Sequence, residues 1–281
     1  SWGLHITHKM WYFIGLFPIL YTIVKREYIG HYVAAFLFAI SFTEVASYLV
    51  WFELVEPFKN ATVENPTPFM SHISYNPILS FAIYLVLHEL FFNEKLSNLR
   101  FSLYGFFAIS MTINMFITGG RAGQVTFFVM LSILIFQVLN KQRIKSMLAI
   151  FIIIPLIFFT SYQTSNLFKQ RVDLAYAEIA GFSEQKSMNT SIGLRINFAI
   201  NSFEVIKKNP FFGVGTGDFP LEYSKVNQIN SPSYLTTSNP HNMYTLVSSQ
   251  LGIFGLVSLL SIFYFQIKFS FSSSNKFLRD A

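Results

Sequence analysis

The sequence has no cysteine among its 281 residues, and Asp, Glu, Lys and Arg together make up only 12% of it. The first absence excludes disulfide frameworks, thiolate nucleophiles, iron-sulfur clusters and cysteine-ligated zinc. The second excludes an ordinary water-soluble domain, which carries roughly 25% charge. Histidine is equally sparse: His5, His8, His31, His72 and His88 are scattered with no spacing suited to a metal, and His241 stands alone. There is no Walker loop, and Gly213-Val214-Gly215-Thr216-Gly217-Asp218 lacks the last glycine of a dinucleotide fingerprint and follows no strand pattern. No metal, no cofactor and no nucleic acid is expected. What is abundant is apolar: 52% of the residues are hydrophobic, and 34 Phe and 14 Tyr lift the aromatic share to 18%. With a mean hydropathy of +0.45, this is the composition of an integral membrane protein. The chain opens on Ser1 with no leader pattern and reads as a fragment or a processed form.

Seven apolar stretches approach the roughly 20 residues that cross a bilayer. They run near 10–24, 29–52, 76–92, 101–118, 122–140, 146–162 and 243–267, and the first and third carry Pro18 and Pro77. Basic residues fall in every second connector. Residues 25–27, 93–100, 141–145 and the C-terminal tail hold ten Lys and Arg, against Lys9, Lys59 and Arg121 in the short connectors opposite. The positive-inside rule makes the first side cytoplasmic. The remaining seven basic residues lie in one long connector, 163–242, which this topology puts outside, in the periplasm of a Gram-negative source. Eighty polar-leaning residues exceed what a structureless loop usually reaches. The expected organisation is therefore an all-α polytopic bundle: about six transmembrane helices over 1–162, a partly helical periplasmic subdomain over 163–242, and a last transmembrane helix with a cytoplasmic tail over 243–281. Within the loop, the spacing predicts amphipathic helices over Leu167 to Ala180 and Leu194 to Lys207. In the second, Leu194, Phe198, Phe203 and Ile206 share an apolar face. Asn209-Pro210 ends it, Gly213 to Gly217 reads as flexible turn material, and Asn239-Pro240-His241-Asn242 reads as a turn feeding directly into the last span.

A few polar residues can carry chemistry. Arg121 sits in Thr118-Gly119-Gly120-Arg121-Ala122-Gly123 between two spans that leave almost no loop. Flanking glycines let a ligand approach the backbone, and free N–H groups at the start of the next helix favour an anion such as the phosphate of a lipid carrier. The competing reading is an interfacial arginine that snorkels to headgroups. Arg195 can pair bidentately with phosphate, or with Glu204 or Asp173. His241 can act as a general base on a hydroxyl or hold a diphosphate, or serve as a hydrogen-bonded structural residue. Glu44 lies inside the second apolar stretch, where an ionisable group is costly and usually functional. It could contact Arg121 or a substrate, or line a wet vestibule with Glu53 and Glu56.

The order of these pieces is more informative than any one of them. A Gly-Gly-Arg-Ala-Gly turn between two spans precedes a long outer loop with an arginine helix. Asn209-Pro210-Phe211-Phe212-Gly213-Val214-Gly215-Thr216-Gly217-Asp218-Phe219 follows, and His241-Asn242-Met243-Tyr244 opens a span continuing Gln250-Leu251-Gly252-Ile253-Phe254-Gly255. The series resembles the O-antigen ligase and polymerase superfamily, with the strong part at about 118–258. Gly120 stands where Ser is commoner and Thr245 where an apolar residue is usual, and the family pattern has about a dozen spans. The resemblance implies a bacterial inner-membrane glycosyltransferase of lipopolysaccharide biosynthesis that works at the periplasmic face without metal or nucleotide. Its donor would be an undecaprenyl-diphosphate-linked glycan and its acceptor a sugar hydroxyl, with lipid A core as the ligase acceptor. By the same resemblance Arg121 and Arg195 would hold the diphosphate and His241 would activate or orient the acceptor, with Glu44, Asp218 and Tyr244 as further candidates. A polymerase or protein O-oligosaccharyltransferase of the same superfamily shares these motifs. A lipid-linked glycan transporter is the alternative of another class; it would call for inverted repeats and ionisable groups at the midplane, for which only Glu44 speaks.

Overall fold

The computed structural model describes residues 2–9, 11–59, 61–139, 142–183, 189–273 and 276–280. Among them the regular structure is helical, with only an isolated bridge between Thr62 and Asn65 in β geometry. The helices are α1 (Trp2–Lys9), α2 (Trp11–Ile23), α3 (Ile29–Trp51, entered through a 3-10 turn at Arg26–Tyr28), α4 (His72–Phe92), α5 (Asn98–Ile117), α6 (Arg121–Val138), α7 (Arg143–Thr164), α8 (Asn166–Ser183), α9 (Ser191–Lys208), α10 (Phe219–Asn230), α11 (Met243–Phe271) and α12 (Lys276–Asp280). Among the described residues six segments are long and apolar enough to cross a membrane: Arg26–Trp51, α4, α5, α6, α7 and α11. This is a multi-pass membrane protein. The stretch expected as the first span is represented by α2, whose 13 residues reach about 20 Å, short of a hydrocarbon core about 30 Å thick.

The chain packs as two compact units. One comprises Arg26–Asp173 with Asp280–Ala281, the other Ser1–Lys25 with Leu174–Arg279. In the first, α4 is the most buried of the spans. Tyr75, Leu79 and Ile83 on α4 meet Met111 and Met115 on α5, Phe127 on α6 and Phe168 on α8 in a continuous apolar core. A helix surrounded by protein need not be apolar all round, which is why α4 can bury Asn76 and Ser80. In the second unit the core gathers around Phe198, Phe219 and Tyr223, joining α9 to α10.

One expectation about the loop is revised. The amphipathic pair is present as α8 and α9, but α9 buries Asn197, Phe198, Asn201, Ser202 and Val205, whereas Phe203 is exposed. The buried face is set by amides: Asn201 Nδ2 donates to Asn227 Oδ1 at 3.1 Å and to Ser231 Oγ at 2.7 Å, and Asn227 Nδ2 donates to Tyr234 O at 3.0 Å. A network satisfied in this way can occupy a core where a hydrophobic pattern predicts Phe. The 239–242 turn does feed directly into the last span, with Asn242 as N-cap of α11, but that helix carries a break the sequence did not announce. Gly252 (φ 63°, ψ −155°) breaks α11 into two arms, one on either side of it.

Candidate functional site

In the Arg26–Asp173 unit, the 118–123 turn is a close junction of helices. Gly120 and Gly123 face α4, where a Cβ at Gly120 would lie 2.5 Å from His72 O and one at Gly123 would lie 2.2 Å from Asn76 Cβ and 2.7 Å from Pro77 N. Pro77 has no N–H to shield, so the α6 backbone can approach it. Polar side chains complete the junction. Thr118 Oγ1 donates to Asn76 Oδ1 at 2.9 Å, Gln124 Nε2 donates to Thr118 O at 3.1 Å, and the Ser80 hydroxyl lies 2.7 Å from Gly123 O. Gly119 N donates to Asn65 Oδ1 at 2.9 Å, and Asn65 Nδ2 sits 2.9 Å from His72 Nδ1. Arg121 is the first residue of α6, and its N-cap Gly120 supplies no side-chain cap. Gly119 is the turn glycine that does not face α4: its Cβ position looks onto the Arg171 guanidinium, 3.3 Å from Nη2.

Glu44 is buried on α3, with its carboxylate accepting the Ser110 hydroxyl. Its other oxygen has no hydrogen-bond partner among the described residues. Glu53 and Glu56 are exposed, so the three do not line one vestibule. A groove of about 780 Å³ runs between α5 and α7. Its walls are largely apolar (Ile113, Phe116, Leu156, Ile157), and its polar lining includes Ser165, Asn166, Gln170 and the carboxylate-bearing Glu64.

In the other unit, the glycine-rich stretch after α9 repairs the break in α11. A helix interrupted at Gly252 frees backbone groups that must find partners. Val214 N donates to Ser249 O at 2.8 Å, Gly215 N to Gln250 O at 2.9 Å, and Ile253 N to Pro210 O at 2.8 Å. The approach is close enough that a Cβ at Gly252 would lie 2.1 Å from Phe211 O and one at Gly213 would lie 2.3 Å from the Gln250 carbonyl carbon. The 213–217 segment, expected to be flexible, is thus tied down, and these glycines build scaffold. The break also folds α11 back on itself. Tyr244 and Phe263 would be about 28 Å apart along a straight helix, yet their ring centroids lie 6.5 Å apart.

Ahead of that break stands His241. It adopts a left-handed backbone (φ 57°), rare for a residue with a Cβ. An Asx turn holds it there, with His241 N donating to Asn239 Oδ1 at 2.8 Å. Asn242 caps the first arm of α11 by accepting from Thr245 N at 3.1 Å. The imidazole stacks on Phe198, with centroids 6.0 Å apart and planes at 21°. Phe198 is fixed from behind by Tyr223 at 5.9 Å, whose phenol burial pushes above its ordinary pKa. Arg195 lies one turn before Phe198 on α9 and is exposed. The carboxylates expected to compete for it are engaged: Glu204 pairs with Lys207 at 2.7 Å, and Asp173 accepts from Tyr162 Oη at 2.7 Å. Asp218 caps α10 through its backbone, its carbonyl accepting from Leu221 N and Glu222 N.

Arg195 therefore shares α9 with Phe198, on which His241 stacks, and Phe219, next after Asp218 at the start of α10, belongs to the same core; Tyr244 follows three residues after His241, in the first turn of α11. Arg121 and Glu44 belong to the other unit, and Glu44 pairs with Ser110. Three contributors escaped the sequence reading: Asn239, which shapes the His241 turn; Phe198, noted only as apolar; and Arg171, an arginine in an amphipathic stretch. The Asn-Pro-His-Asn order was a legible signal for the first. Arg171 offered none, because its place depends on how α8 packs.

Comparison with known proteins matches residues 106–260 to the family described as O-antigen ligase. An uncharacterized protein of Haemophilus influenzae is 30% identical over 220 residues, covering 72% of this chain and 53% of that protein. The chain thus spans about half the length of the curated relative it matches.

Proposed function

The chain belongs to the O-antigen ligase family, and on that premise we propose that it transfers a glycan from undecaprenyl diphosphate to a sugar hydroxyl at the periplasmic face of the bacterial inner membrane. Lipid A core is the acceptor in this reading. The observation that carries it is the presentation of His241: a strained turn holds its imidazole stacked on Phe198, and Phe198 lies one helical turn along α9 from the exposed Arg195. Such pre-organisation is worth its conformational cost where a side chain must meet a substrate in one geometry.

The acceptor oxygen attacks the anomeric carbon as the bond from that carbon to the diphosphate oxygen breaks, inverting the centre. His241 takes the hydroxyl proton. The leaving undecaprenyl diphosphate carries the electron pair away, and Arg121 and Arg195 oppose the charge that builds on it, an electrostatic effect worth several kcal/mol in a partly dry site. The 780 Å³ groove with largely apolar walls suits a polyprenyl chain. Residues 163–242 form the periplasmic part that receives the acceptor.

The test is transfer by the full-length parent in reconstituted membranes, with lipid A core and a carrier-linked repeat unit as competing acceptors. Product on the core is expected; lengthened carrier-linked chains would make the protein a polymerase. Arg195→Ala and His241→Ala should each lower transfer at least a hundredfold with normal membrane insertion, and activity within about twofold of wild type would remove that residue from the mechanism. Absence of both products, with lipid-linked glycan still crossing the bilayer, would replace transfer by transport.

A further inference from the structure

The Arg171 guanidinium has no role in the reaction as written above, yet its position is strongly determined. Ser165 ends α7 and starts α8: its hydroxyl donates to Phe116 O at 2.7 Å, and Phe168 N donates to its Oγ at 3.1 Å. Phe168 is buried, with its ring 5.0 Å from Phe116 and 5.4 Å from Phe158. These contacts fix the first turn of α8 against the end of α5, and Arg171 follows Phe168 by one turn. Its guanidinium lies over the open face of Gly119, two residues before Arg121, with Nη2 3.3 Å and Nε 3.4 Å from the Cβ position.

Arg171 is half-buried, and among the described residues no carboxylate comes within ion-pair distance of it. The acid nearest in sequence, Asp173, is occupied by Tyr162. A partly buried guanidinium prefers a counter-anion. On α8, Arg171 lies one turn beyond Leu167 and beside Gln170, both of which line the groove between α5 and α7. Arg171 does not itself line the groove, but a guanidinium one helical turn beyond that lining is placed for the anionic head of an amphiphile whose tail lies in it.

We infer that Arg171 is a further donor-binding residue, holding the phosphate of a polyprenyl diphosphate whose tail lies in the α5/α7 groove. The inference rests on the proposed function for the identity of the lipid. Its chemistry is a bidentate guanidinium–phosphate contact on the lipid side of the diphosphate. Arg171 would thus set donor affinity and placement.

Binding separates this inference from the transfer reading, because it needs no acceptor. The full-length parent is placed in phosphatidylcholine nanodiscs and titrated with farnesyl diphosphate, farnesyl monophosphate and inorganic diphosphate, with and without added phosphatidylglycerol. Arg171→Ala should weaken farnesyl diphosphate about tenfold and Arg171→Lys by less, since an ammonium keeps the charge but loses the fork. Gly119→Ala, which crowds the guanidinium while leaving it in the chain, should weaken binding by about threefold. In transfer assays Arg171→Ala should raise the donor KM about tenfold with kcat changed less than threefold. Unchanged thermal melting would confirm a folded variant.

Binding within twofold of wild type in Arg171→Ala, with Arg121→Ala still weakened, overturns the inference and leaves the transfer reading intact. Arg171-dependent binding without transfer to any acceptor supports the inference while the transfer reading falls. Displacement of farnesyl diphosphate by phosphatidylglycerol at equal concentration would make Arg171 a general headgroup contact and overturn it. If Gly119→Ala binds like wild type while Arg171→Ala does not fold, the placement over Gly119 is irrelevant and the inference also falls.

Discussion

Two glycine-rich segments, 118–123 in one unit and 209–217 in the other, look alike in sequence and do different work. At the first, two intact helices are brought into contact: Gly120 and Gly123 make room for α4, while Asn76, Ser80 and Gln124 satisfy the polar groups between them. At the second, a helix is broken at Gly252 and the loop backbone replaces the missing helical hydrogen bonds, with Gly213 and Gly215 in left-handed conformations. Glycine is needed for space in one case and for both space and dihedral angle in the other. The difference matters because a spatial conflict can be relieved by a small helix shift, whereas a forbidden dihedral cannot.

The sharpest way to break the comparison is Gly252→Ala against Gly123→Ala. Gly252 combines a backbone conformation accessible essentially only to glycine with a Cβ position 2.1 Å from Phe211 O. Strain and overlap together should destabilise by roughly 4 kcal/mol or more and disrupt the arm that carries Tyr244. Gly123 is helical, so alanine there adds overlap alone, and about 1–3 kcal/mol is expected as α4 and α6 separate. Thermal melting of the two variants in detergent checks the order. Equal losses would mean that the α11 break can straighten.

The spans were legible because lipid demands long apolar runs: all six lie within about four residues of their expected bounds, and Pro77 did not shorten α4. The break at Gly252 was not legible, since Gln250-Leu251-Gly252-Ile253 continues an apolar helical pattern and only the loop packed on it shows why it bends. The site was half legible. Arg195 stands out as the arginine of the second loop helix and His241 as the loop's single histidine, but the contact that relates them runs through Phe198, which hydrophobic spacing reports only as core. Long-range packing also hid Arg171, whose neighbour Gly119 is 52 positions earlier in the sequence.

Replacing a buried amide extends the contrast to side-chain networks. Asn227 Oδ1 accepts from Asn197 and Asn201, while its Nδ2 donates to Tyr234 O. Asn227→Leu is nearly isosteric but leaves several buried donors and acceptors unpaired, so a loss of about 2–3 kcal/mol is expected. The paired change Asn201→Leu with Asn227→Leu should cost less than the sum of the two single changes, as a double-mutant cycle in denaturation would show. Strict additivity would mean that the amides act separately.

The smallest effect concerns His241, where strain and chemistry meet in one residue. His241→Ala and His241→Gly both remove the imidazole and its stacking on Phe198, so both should lose transfer equally. They differ in the backbone: alanine keeps the cost of a left-handed conformation, about 1 kcal/mol, whereas glycine adopts it freely. The glycine variant should therefore be more stable than the alanine variant by up to about 1 kcal/mol, reduced by the extra entropy glycine has when unfolded. Equal stability of the two, measured by thermal denaturation in the same detergent, would show that Asn239 does not hold residue 241 in the left-handed turn. The stacked imidazole would then owe its position to Phe198 alone.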